Sequence, residues 1–468
     1  MSIKSIFLII FLFLIISITG YVLAMAYPNF TTPYSHIQND KPIKVTLEYW
    51  GLWDNSDNWD EIIDKFENKT FQLNGRKINV SVNYTKKDYA TYEKEVNQSK
   101  EKENGPNIFI INNNWFANYL EEIEPLNNNN AISKEYDLLS YSDIPIIFPR
   151  RAITDIVHQE LVYSVPLYSD SLVLYYNKDL FEEAEIETAP KSWKEFKKYV
   201  KKLTILEGYD EISQAGTSLG TGTNINRSSD ILSLLIMQGG GNVIDKQGNI
   251  DIGNDIEIDT TSGTKVRSPG KRAIEFYSEF SNSKKEIYSW NNEQSHSIEN
   301  FANEKTAIMF GYNYHTNNLL AINPDLNYGI SQMPQLENST KVNFSNVWLP
   351  VISKVNNCKV EPIEFANEID CTKLSWSFLS FATEKENSEI YLDSTKKAAA
   401  RKDLISQQIN LNNNISAFAS QVDSAVSYNK FNDQIDNILV DMLDKIALDR
   451  NRIDEIIEEA VGKIESLK

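Results

Sequence analysis

The strongest constraint on the fold is an alternation of strand and helix patterns near the start of the polar part of the chain. Residues 43–49 and 78–84 alternate apolar and polar side chains, as half-buried strands do. Between them, the apolar residues of 59–66 recur at i, i+3, i+4 and i+7, which makes one helix face. A polar helix is predicted over 89–102, and the apolar run 108–111 suits a strand covered on both faces. This β-α-β-α-β order predicts an α/β fold with a largely parallel sheet.

A second series of strands and helices begins near residue 163. Further buried strands are predicted at 172–176, 307–310, 328–330 and 347–351. Helices are predicted at 193–203, 230–238, 273–280, 435–446 and 453–464. The chain has 468 residues, of which 41% are hydrophobic. That is enough for two or three domains' worth of core.

The first 27 residues form an export or anchoring segment. An apolar run at 6–18 follows Lys4 and ends in Ala24-Met25-Ala26, with no charged residue until Asp40. A cleaved signal peptide fits the short apolar core and the small residues at its end. An uncleaved membrane anchor fits the uncharged span that a bilayer requires. Either alternative places the rest of the chain outside the cell membrane, with residues 28–42 as a polar stalk.

The charge balance narrows the classes of partner. Acidic residues number 65 against 46 basic ones, which gives a formal net charge of −19. Such a surface repels phosphate backbones, so nucleic-acid binding is disfavoured. The charge favours solubility but specifies no fold.

The chain has two cysteines, Cys358 and Cys371. A pair of cysteines in an exported protein is typically oxidised to a disulfide rather than kept as reactive thiols. The two would close a short loop between a strand and a helix. We therefore predict that they are bridged, the alternative being two buried thiols.

Several segments, in order along the chain, resemble the family 1 extracellular solute-binding proteins, the maltose-binding-like group. The segments are 47–53 (LEYWGLW), 105–109 (GPNIF), 163–167 (YSVPL), 174–181 (LYYNKDLF), 190–196 (PKSWKEF), 301–308 (FANEKTAI) and 375–379 (SWSFL). The family usually has Asp where this chain has Asn107. The order and spacing of the segments, over residues 43 to 445, carry the resemblance.

The resemblance implies a two-lobed periplasmic-binding-protein type II fold. Each lobe would have a mixed, mostly parallel sheet flanked by helices, with the ligand cleft between the lobes. The implied division gives lobe one residues 43–169 and 328–395, and lobe two residues 170–327 and 396–468. Closure of the lobes around a ligand would be a hinge motion.

The resemblance also implies a function. The chain would be the extracellular receptor of an ABC importer that binds a small molecule, expected to be a carbohydrate, and delivers it to membrane permease subunits. It would be a monomer held at the outer face of the membrane by its N-terminal segment, or secreted after cleavage. It would use no cofactor or metal, and it would not be an enzyme.

Aromatic and polar residues, many of them just after predicted strands, are the candidate ligand contacts. Aromatic faces stack on sugar rings, and polar side chains bond the hydroxyls. The aromatic candidates are Trp53, Trp115, Tyr312, Tyr314, Trp348 and Tyr428. The polar candidates are Asn114, Asp170, Asn224 and Arg227, of which Asn114 and Asp170 match ligand-contacting positions of the family.

Other classes of function have weaker support in the sequence. Residues 216–220 (GTSLG) fit the G-x-S-x-G nucleophile elbow, but a polar segment precedes them and no helical pattern follows directly. The four histidines have no metal-ligand spacing. A cell-surface sugar-binding adhesin and a secreted glycan-degrading enzyme remain as alternatives.

Overall fold

The structure, a computed structural model, describes residues 41–468 apart from 74, 100–104, 155, 209, 246, 261–262, 429 and 432. The predicted anchor or signal peptide (1–27) and most of the predicted stalk lie outside the described residues. Within the described range, no helix combines the length and apolar character needed to cross a bilayer.

The first sheet is built around the strand Ile43–Gly51. Its buried and less buried residues alternate, as the sequence pattern predicted. It runs parallel to Arg76–Lys86 along its whole length and parallel to Ile108–Asn112 at its carboxyl end. The helices Asp60–Glu67 and Tyr89–Ser99 connect these strands. The predicted β-α-β-α-β unit is therefore confirmed.

Three further strands complete the first sheet, and all of them are antiparallel to their neighbours. Trp348–Ile352 pairs with Ile108–Asn112, Lys359–Glu361 pairs with the first strand, and Phe71–Leu73 pairs with Arg76–Lys86. Trp348 faces Asn112 across the pair. The strand that begins at Trp348 thus starts at the edge where its neighbour ends.

The second sheet differs from the prediction of a mostly parallel sheet. The strand Val173–Asn177 lies between Ile308–Gly311 and Tyr328–Ser331 and is antiparallel to both. Among the described residues of this lobe, isolated parallel bridges join Ala215 with Thr306 and Ser192 with Gln335. The physical reason is the direction in which the chain enters the sheet. Val173–Asn177 comes from the other lobe and runs away from the junction, whereas its two neighbours run toward the junction.

The hydrophobic residues form two main cores, one for each lobe. The first core draws on residues 43–168 and 347–404, and the second on residues 172–344 and 428–464. Tyr328–Ser331 pairs with the second sheet, so the chain returns to the first core near Val347 and not near residue 328 as expected. Short strand pairs join the segments that cross between the lobes: Tyr168–Ser169 with Ala398–Ala399, and Asn343–Phe344 with Ala425–Val426.

Helices cover both sheets, and their buried faces follow the predicted spacing. In Trp193–Leu203 the buried residues are Trp193, Phe196, Val200 and Leu203, and Ser192 caps the helix by accepting from the Glu195 N–H. The other helices of at least eight residues are Ser228–Gln238, Pro269–Ser278, His315–Ile322, Cys371–Ala382, Lys385–Thr395, Lys402–Asn410, Gln434–Leu448 and Ile453–Glu465.

Shorter elements fill the connections. The short helices are Phe116–Tyr119, Asn130–Tyr136, Ile144–Ile147, Arg150–Thr154, Lys178–Glu183, Ser297–Ala302 and Asn414–Ala419. The hairpins are Val157–His158 with Leu161–Val162, Ile205–Glu207 with Glu211–Gln214, and Ile256–Thr260 with Gly263–Arg267.

The predicted disulfide is present in lobe one. Cys358 and Cys371 are bonded, with their Cα atoms 5.6 Å apart. Cys371 begins the helix Cys371–Ala382 and is buried in the first core. The bond therefore ties the segment after Trp348–Ile352 to the helix that covers the sheet.

Candidate ligand-binding site

Strand ends from both lobes meet at the junction between them. In lobe one, Ile43–Gly51 and Ile108–Asn112 end there and Trp348–Ile352 begins there. In lobe two, Ile308–Gly311 ends and Val173–Asn177 begins at the corresponding edge. In open α/β sheets, ligands bind in the crevice outside such strand ends. The loops that follow these ends therefore form the candidate site.

Lobe one presents a wall of three mutually packed aromatic rings, Trp53, Tyr89 and Trp348, which we call the aromatic wall. The ring centroids of Trp53 lie 5.3 Å from Tyr89 and 5.4 Å from Trp348, and Tyr89 lies 6.0 Å from Trp348. Trp53 is 46% exposed and Tyr89 is 52% exposed. Large rings that stay exposed while packed on one another offer a stacking surface to a ligand.

Tyr89 was not among the predicted site residues. It begins the helix Tyr89–Ser99 directly after the strand Arg76–Lys86. The rule that selected Trp53, Trp115 and Tyr312, a ring just after a strand end, applies equally to Tyr89. The sequence therefore contained the signal that identifies it.

Trp115 supports the wall and faces inward. Its ring packs edge-on against Trp348 with centroids 4.9 Å apart, and it is only 8% exposed. Its indole N–H donates a hydrogen bond of 2.7 Å to Asp433 Oδ1 in lobe two. Trp115 was predicted to contact the ligand, but its ring surface and its polar atom are already occupied by protein.

Lobe two contributes a charged and aromatic cluster around Asp230, which is 0% exposed. Arg227 binds Asp230 Oδ2 through Nε at 2.8 Å and Nη2 at 2.5 Å, and the Tyr312 hydroxyl donates to the same oxygen at 2.7 Å. Burial raises the pKa of Asp230, but Arg227, Lys430 and Tyr312 together bring it below its ordinary value. Asp230 therefore holds Arg227 and Tyr312 in place as an ionised carboxylate.

Tyr314 is the exposed ring of this cluster. It is 49% exposed and stacks on Tyr312 with centroids 6.3 Å apart. Its ring also lies 3.9 Å from His315, whose Nδ1 accepts from the Tyr312 N–H. Burial lowers the pKa of His315 to about 3, so this imidazole is neutral. Tyr312 itself is buried and supports Tyr314 rather than facing solvent.

The aromatic wall of lobe one and the charged cluster of lobe two are electrostatically coupled. Burial raises the pKa of Tyr89, and Asp433 and Asp436 raise it further, while Arg227 lowers it. The charges of lobe two therefore act on the Tyr89 hydroxyl of lobe one, which means that the two lobes lie within electrostatic range of each other here.

Asp170 lies in the first segment that crosses between the lobes. Its Oδ1 accepts from the Asn313 N–H at 3.4 Å, and its carbonyl accepts from the Asn346 N–H at 3.2 Å. Burial raises its pKa to about 7, although Asn313 and the charge of Lys397 act in the opposite direction. A cavity of about 30 Å³ beside it has room for a water molecule but not for a sugar.

Three other predicted contacts lie inside the protein. Both polar atoms of the Asn224 amide are used within lobe two, by Trp290 at 3.1 Å and by the carbonyls of Asn291 and Gln294. Tyr428 is buried against Phe344. Asn114 is buried and joins the lobes through its carbonyl, which accepts from the Lys430 N–H at 2.8 Å. The structure does not bring these side chains to the exposed surface of the cleft.

A polar network that the sequence gave no reason to expect lies beside Trp53. Lys397 donates to Asp54 Oδ1 at 2.6 Å and to the Tyr391 hydroxyl at 2.9 Å, and Tyr391 donates to Asp54 Oδ2 at 2.7 Å. The ammonium lies 4.1 Å from the centre of the Tyr168 ring. The network ties the first loop of lobe one to the crossing segment that contains Ala398–Ala399.

The G-x-S-x-G segment does not form a nucleophile elbow. Ser218 is buried, and its N–H donates to the Ile308 carbonyl, so the segment lies along a strand of lobe two. The next helix begins at Ser228 and not directly after the serine. The elbow requires an exposed serine between a strand and a helix.

A comparison with protein families decides the relationship. The sequence profile of the family described as bacterial extracellular solute-binding protein matches residues 52–389, well over half of the chain. The chain belongs to this family. As a solute-binding protein, it has the two-lobed architecture that the resemblance implied, and the family consists of binding proteins.

Solved structures of other solute-binding proteins share the fold at low sequence identity. One from Thermotoga lettingae, bound to α-D-tagatose, is 17% identical, with a TM-score of 0.62 over 90% of this chain and 99% of that one. A cyclic α-maltosyl-1,6-maltose binding protein from Arthrobacter globiformis is 14% identical, with a TM-score of 0.68 over 91% and 99%. UgpB from Mycobacterium tuberculosis, in complex with glycerophosphocholine, is 15% identical, with a TM-score of 0.65 over 90% and 98%. No curated protein sequence matches the chain.

Proposed function

We propose that this solute-binding protein holds a carbohydrate between the aromatic wall of lobe one and Tyr314 of lobe two. The observation that carries the proposal is the wall itself, because Trp53 and Tyr89 are about half exposed at the edge where strands end. The C–H faces of a sugar ring stack on such aromatic surfaces. Contiguous exposed apolar surface of this kind is rare and marks an interaction site or a ligand-binding groove.

Polar groups beside the rings suit a ligand with many hydroxyls. Asp54 and Lys397 flank Trp53, and Arg227 lies over the ring of Tyr312, on which Tyr314 stacks. Each of these charged groups is already paired with an opposite charge, so none would leave an uncompensated charge beside the ligand. Each also has hydrogen-bonding capacity beyond its present partners. Such a lining favours a neutral polar ligand over a strongly charged one.

The relatives make sugar the first class to test. Two of the similar solved structures are described with tagatose and with a cyclic maltosyl-maltose, and a third with glycerophosphocholine. The aromatic wall favours the sugar class for this chain. Glycerophosphodiesters belong in the same screen, because the fold accommodates both kinds of ligand.

The biological role that fits is capture for import. We infer that the protein binds its ligand without chemical change and delivers it to the permease subunits of an ABC transporter. The N-terminal segment 1–27 would hold it at the outer face of the membrane or direct its export. The family supports the permease partners, and the sequence of residues 1–27 supports the anchoring or export.

The test is a thermal-shift screen of the chain from residue 41 against sugars, polyols, glycerophosphodiesters and short peptides. A ligand that binds only the folded state, at a hundredfold excess over its Kd, adds about 2.7 kcal/mol of stability. Trp53→Ala and Tyr314→Ala should weaken binding of the active sugar by about thirtyfold, the equivalent of about 2 kcal/mol.

Two variants control this experiment. Trp53→Tyr keeps a stacking ring and should retain most of the affinity. Ile363→Ala alters an exposed residue outside the cleft and should bind like the unaltered chain. If no sugar raises the melting temperature while a phosphodiester or a peptide does, the carbohydrate assignment is wrong and the receptor role stands.

A further inference from the structure

We infer that Trp115 and Asp433 form a latch that holds the two lobes together on the side of the aromatic wall. The latch is a contact between the two hydrophobic cores of the chain. Trp115 belongs to the first core, and the helix Gln434–Leu448 belongs to the second. It does not depend on the identity of the ligand. Its consequence for binding rests on the proposed function.

Three hydrogen bonds define the contact. The indole N–H of Trp115 donates to Asp433 Oδ1 at 2.7 Å. The Lys430 N–H donates to the Asn114 carbonyl at 2.8 Å, and the Asn118 side chain donates to the Lys430 carbonyl at 3.1 Å. Residues 113–118 of lobe one are thus bonded to Lys430 and Asp433 of lobe two. Such bonds add both strength and a defined orientation.

The role of Asp433 is unusual for its position. It precedes the helix Gln434–Leu448 at the N-cap, where an aspartate ordinarily accepts from the first N–H groups of its own helix. Here its side chain makes no such bond. The carboxylate is directed at Trp115 of the other lobe instead. A hydrogen bond to a charged acceptor is stronger than one between neutral groups.

Lys430 is anchored by a charge pair within lobe two. Its ammonium is buried and binds both oxygens of Asp436, at 2.7 and 2.8 Å, within the same lobe. Because this charge pair is internal to lobe two, the backbone of Lys430 is fixed where it meets Asn114 and Asn118. The latch therefore joins lobe one to a residue that a charge pair anchors within lobe two.

The latch also positions the stacking surface. Trp115 contacts Trp348 edge-on, and Trp348 is part of the aromatic wall. Trp115 is therefore a positioning residue: it sets the orientation of the wall and ties that orientation to lobe two. A contact that favours the closed arrangement raises the fraction of protein competent to hold a ligand between the lobes.

Small-angle X-ray scattering without any ligand tests the latch. The sample is the purified chain from residue 41, which contains both hydrophobic cores. Trp115→Phe keeps a ring but removes the N–H, and Asp433→Ala removes the acceptor. Each should give a larger radius of gyration than the unaltered chain, because the lobes separate on this side. Asp433→Asn retains an acceptor oxygen and should stay close to the unaltered chain.

A matched tryptophan variant separates lobe opening from general destabilisation. The Trp193 N–H donates to Gln238 at 2.6 Å inside lobe two. Trp193→Phe therefore loses an equivalent bond without touching the junction, and it should lower the melting temperature but leave the scattering unchanged.

A double variant completes the experiment. Trp115→Phe with Asp433→Ala should open the lobes no further than either single change, because both remove the same bond. Superimposable scattering of the unaltered chain, Trp115→Phe and Asp433→Ala would overturn the latch. Since no ligand is present, that result would leave the proposed carbohydrate function untouched.

Discussion

Removing Arg227 should expose how strongly lobe two depends on the buried charge pair beneath Tyr314. Asp230 has no solvent contact and binds Arg227 through two nitrogens, with Tyr312 as a further donor to the same oxygen. In Arg227→Ala the carboxylate stays buried but loses its main counter-charge. The hydroxyl of Tyr312 and the more distant charge of Lys430 remain.

The expected loss of stability follows from the counter-charge that the carboxylate of Asp230 loses. Breaking one partner from a buried ion pair costs about 3–5 kcal/mol, because the other charge is left uncompensated. The remaining contacts of Asp230 place this case at the lower end, so we expect the free energy of unfolding to fall by about 3 kcal/mol. The double variant Arg227→Met with Asp230→Asn should recover most of that loss, because it removes both charges together.

The pH dependence of the stability of Arg227→Ala is a second, independent test of the buried charge pair. Burial raises the pKa of Asp230, and Arg227 is the first of the groups that lower it. Without Arg227 the carboxylate takes up a proton at higher pH, and a neutral buried acid needs no counter-charge. The stability gap between the variant and the unaltered chain should therefore be widest near neutral pH and narrow as the pH is lowered.

Urea unfolding followed by circular dichroism, at several pH values, measures both effects. Lys201→Ala is the matched control, because it breaks an ion pair of 2.8 Å with Glu286 that is exposed on both sides. An exposed pair of this kind contributes less than about 1 kcal/mol. If Arg227→Ala costs no more than Lys201→Ala, water reaches Asp230 and the reasoning about a buried charge fails.

Three further predictions concern other parts of the chain. Replacing Cys358 and Cys371 by serine should lower the free energy of unfolding by about 3 kcal/mol, from the short loop that the disulfide closes, measured by denaturant unfolding. With Asp170 carrying a pKa of about 7, the folded state keeps a proton that the unfolded chain has lost, so stability should fall as the pH rises from about 4 to 7. Asp170→Asn should flatten that slope in a pH series of melting curves. Asn224→Ala should lower the melting temperature while leaving the Kd of the screened sugar unchanged, because its amide bonds lie inside lobe two.

The sequence predicts the first sheet well because its information is local. In Ile43–Gly51 the alternation of apolar and polar residues matches the alternation of buried and less buried positions. A parallel neighbour follows because one helix lies between each pair of strands. The direction of Val173–Asn177 in the second sheet is not local information. It depends on which lobe the chain comes from, and no pattern within the strand records that.

The sequence predicted where the candidate site lies but not which of its side chains are exposed. Aromatic residues at the ends of strands do gather at the junction, as Trp53 after one strand and Trp348 at the start of another show. Whether a ring faces the cleft or the interior depends on distant partners. Trp115 is buried by contacts with Trp348 and Asp433, which lie 233 and 318 residues further along the chain. Spacing within a segment cannot reveal such partners.

The direction of the crossing strand explains why rings from such distant segments meet. A strand that ends at the junction places the next residues of the chain at the cleft, which is how Trp115 follows Ile108–Asn112. A strand that enters from the other lobe places its first residue there instead, which is how Trp348 comes to face Asn112. The antiparallel pairing therefore brings the start of one segment against the end of another. Had Trp348–Ile352 run parallel to its neighbour, Trp348 would lie at the far edge of the sheet, and lobe one would lack the ring that joins Trp53 to Trp115.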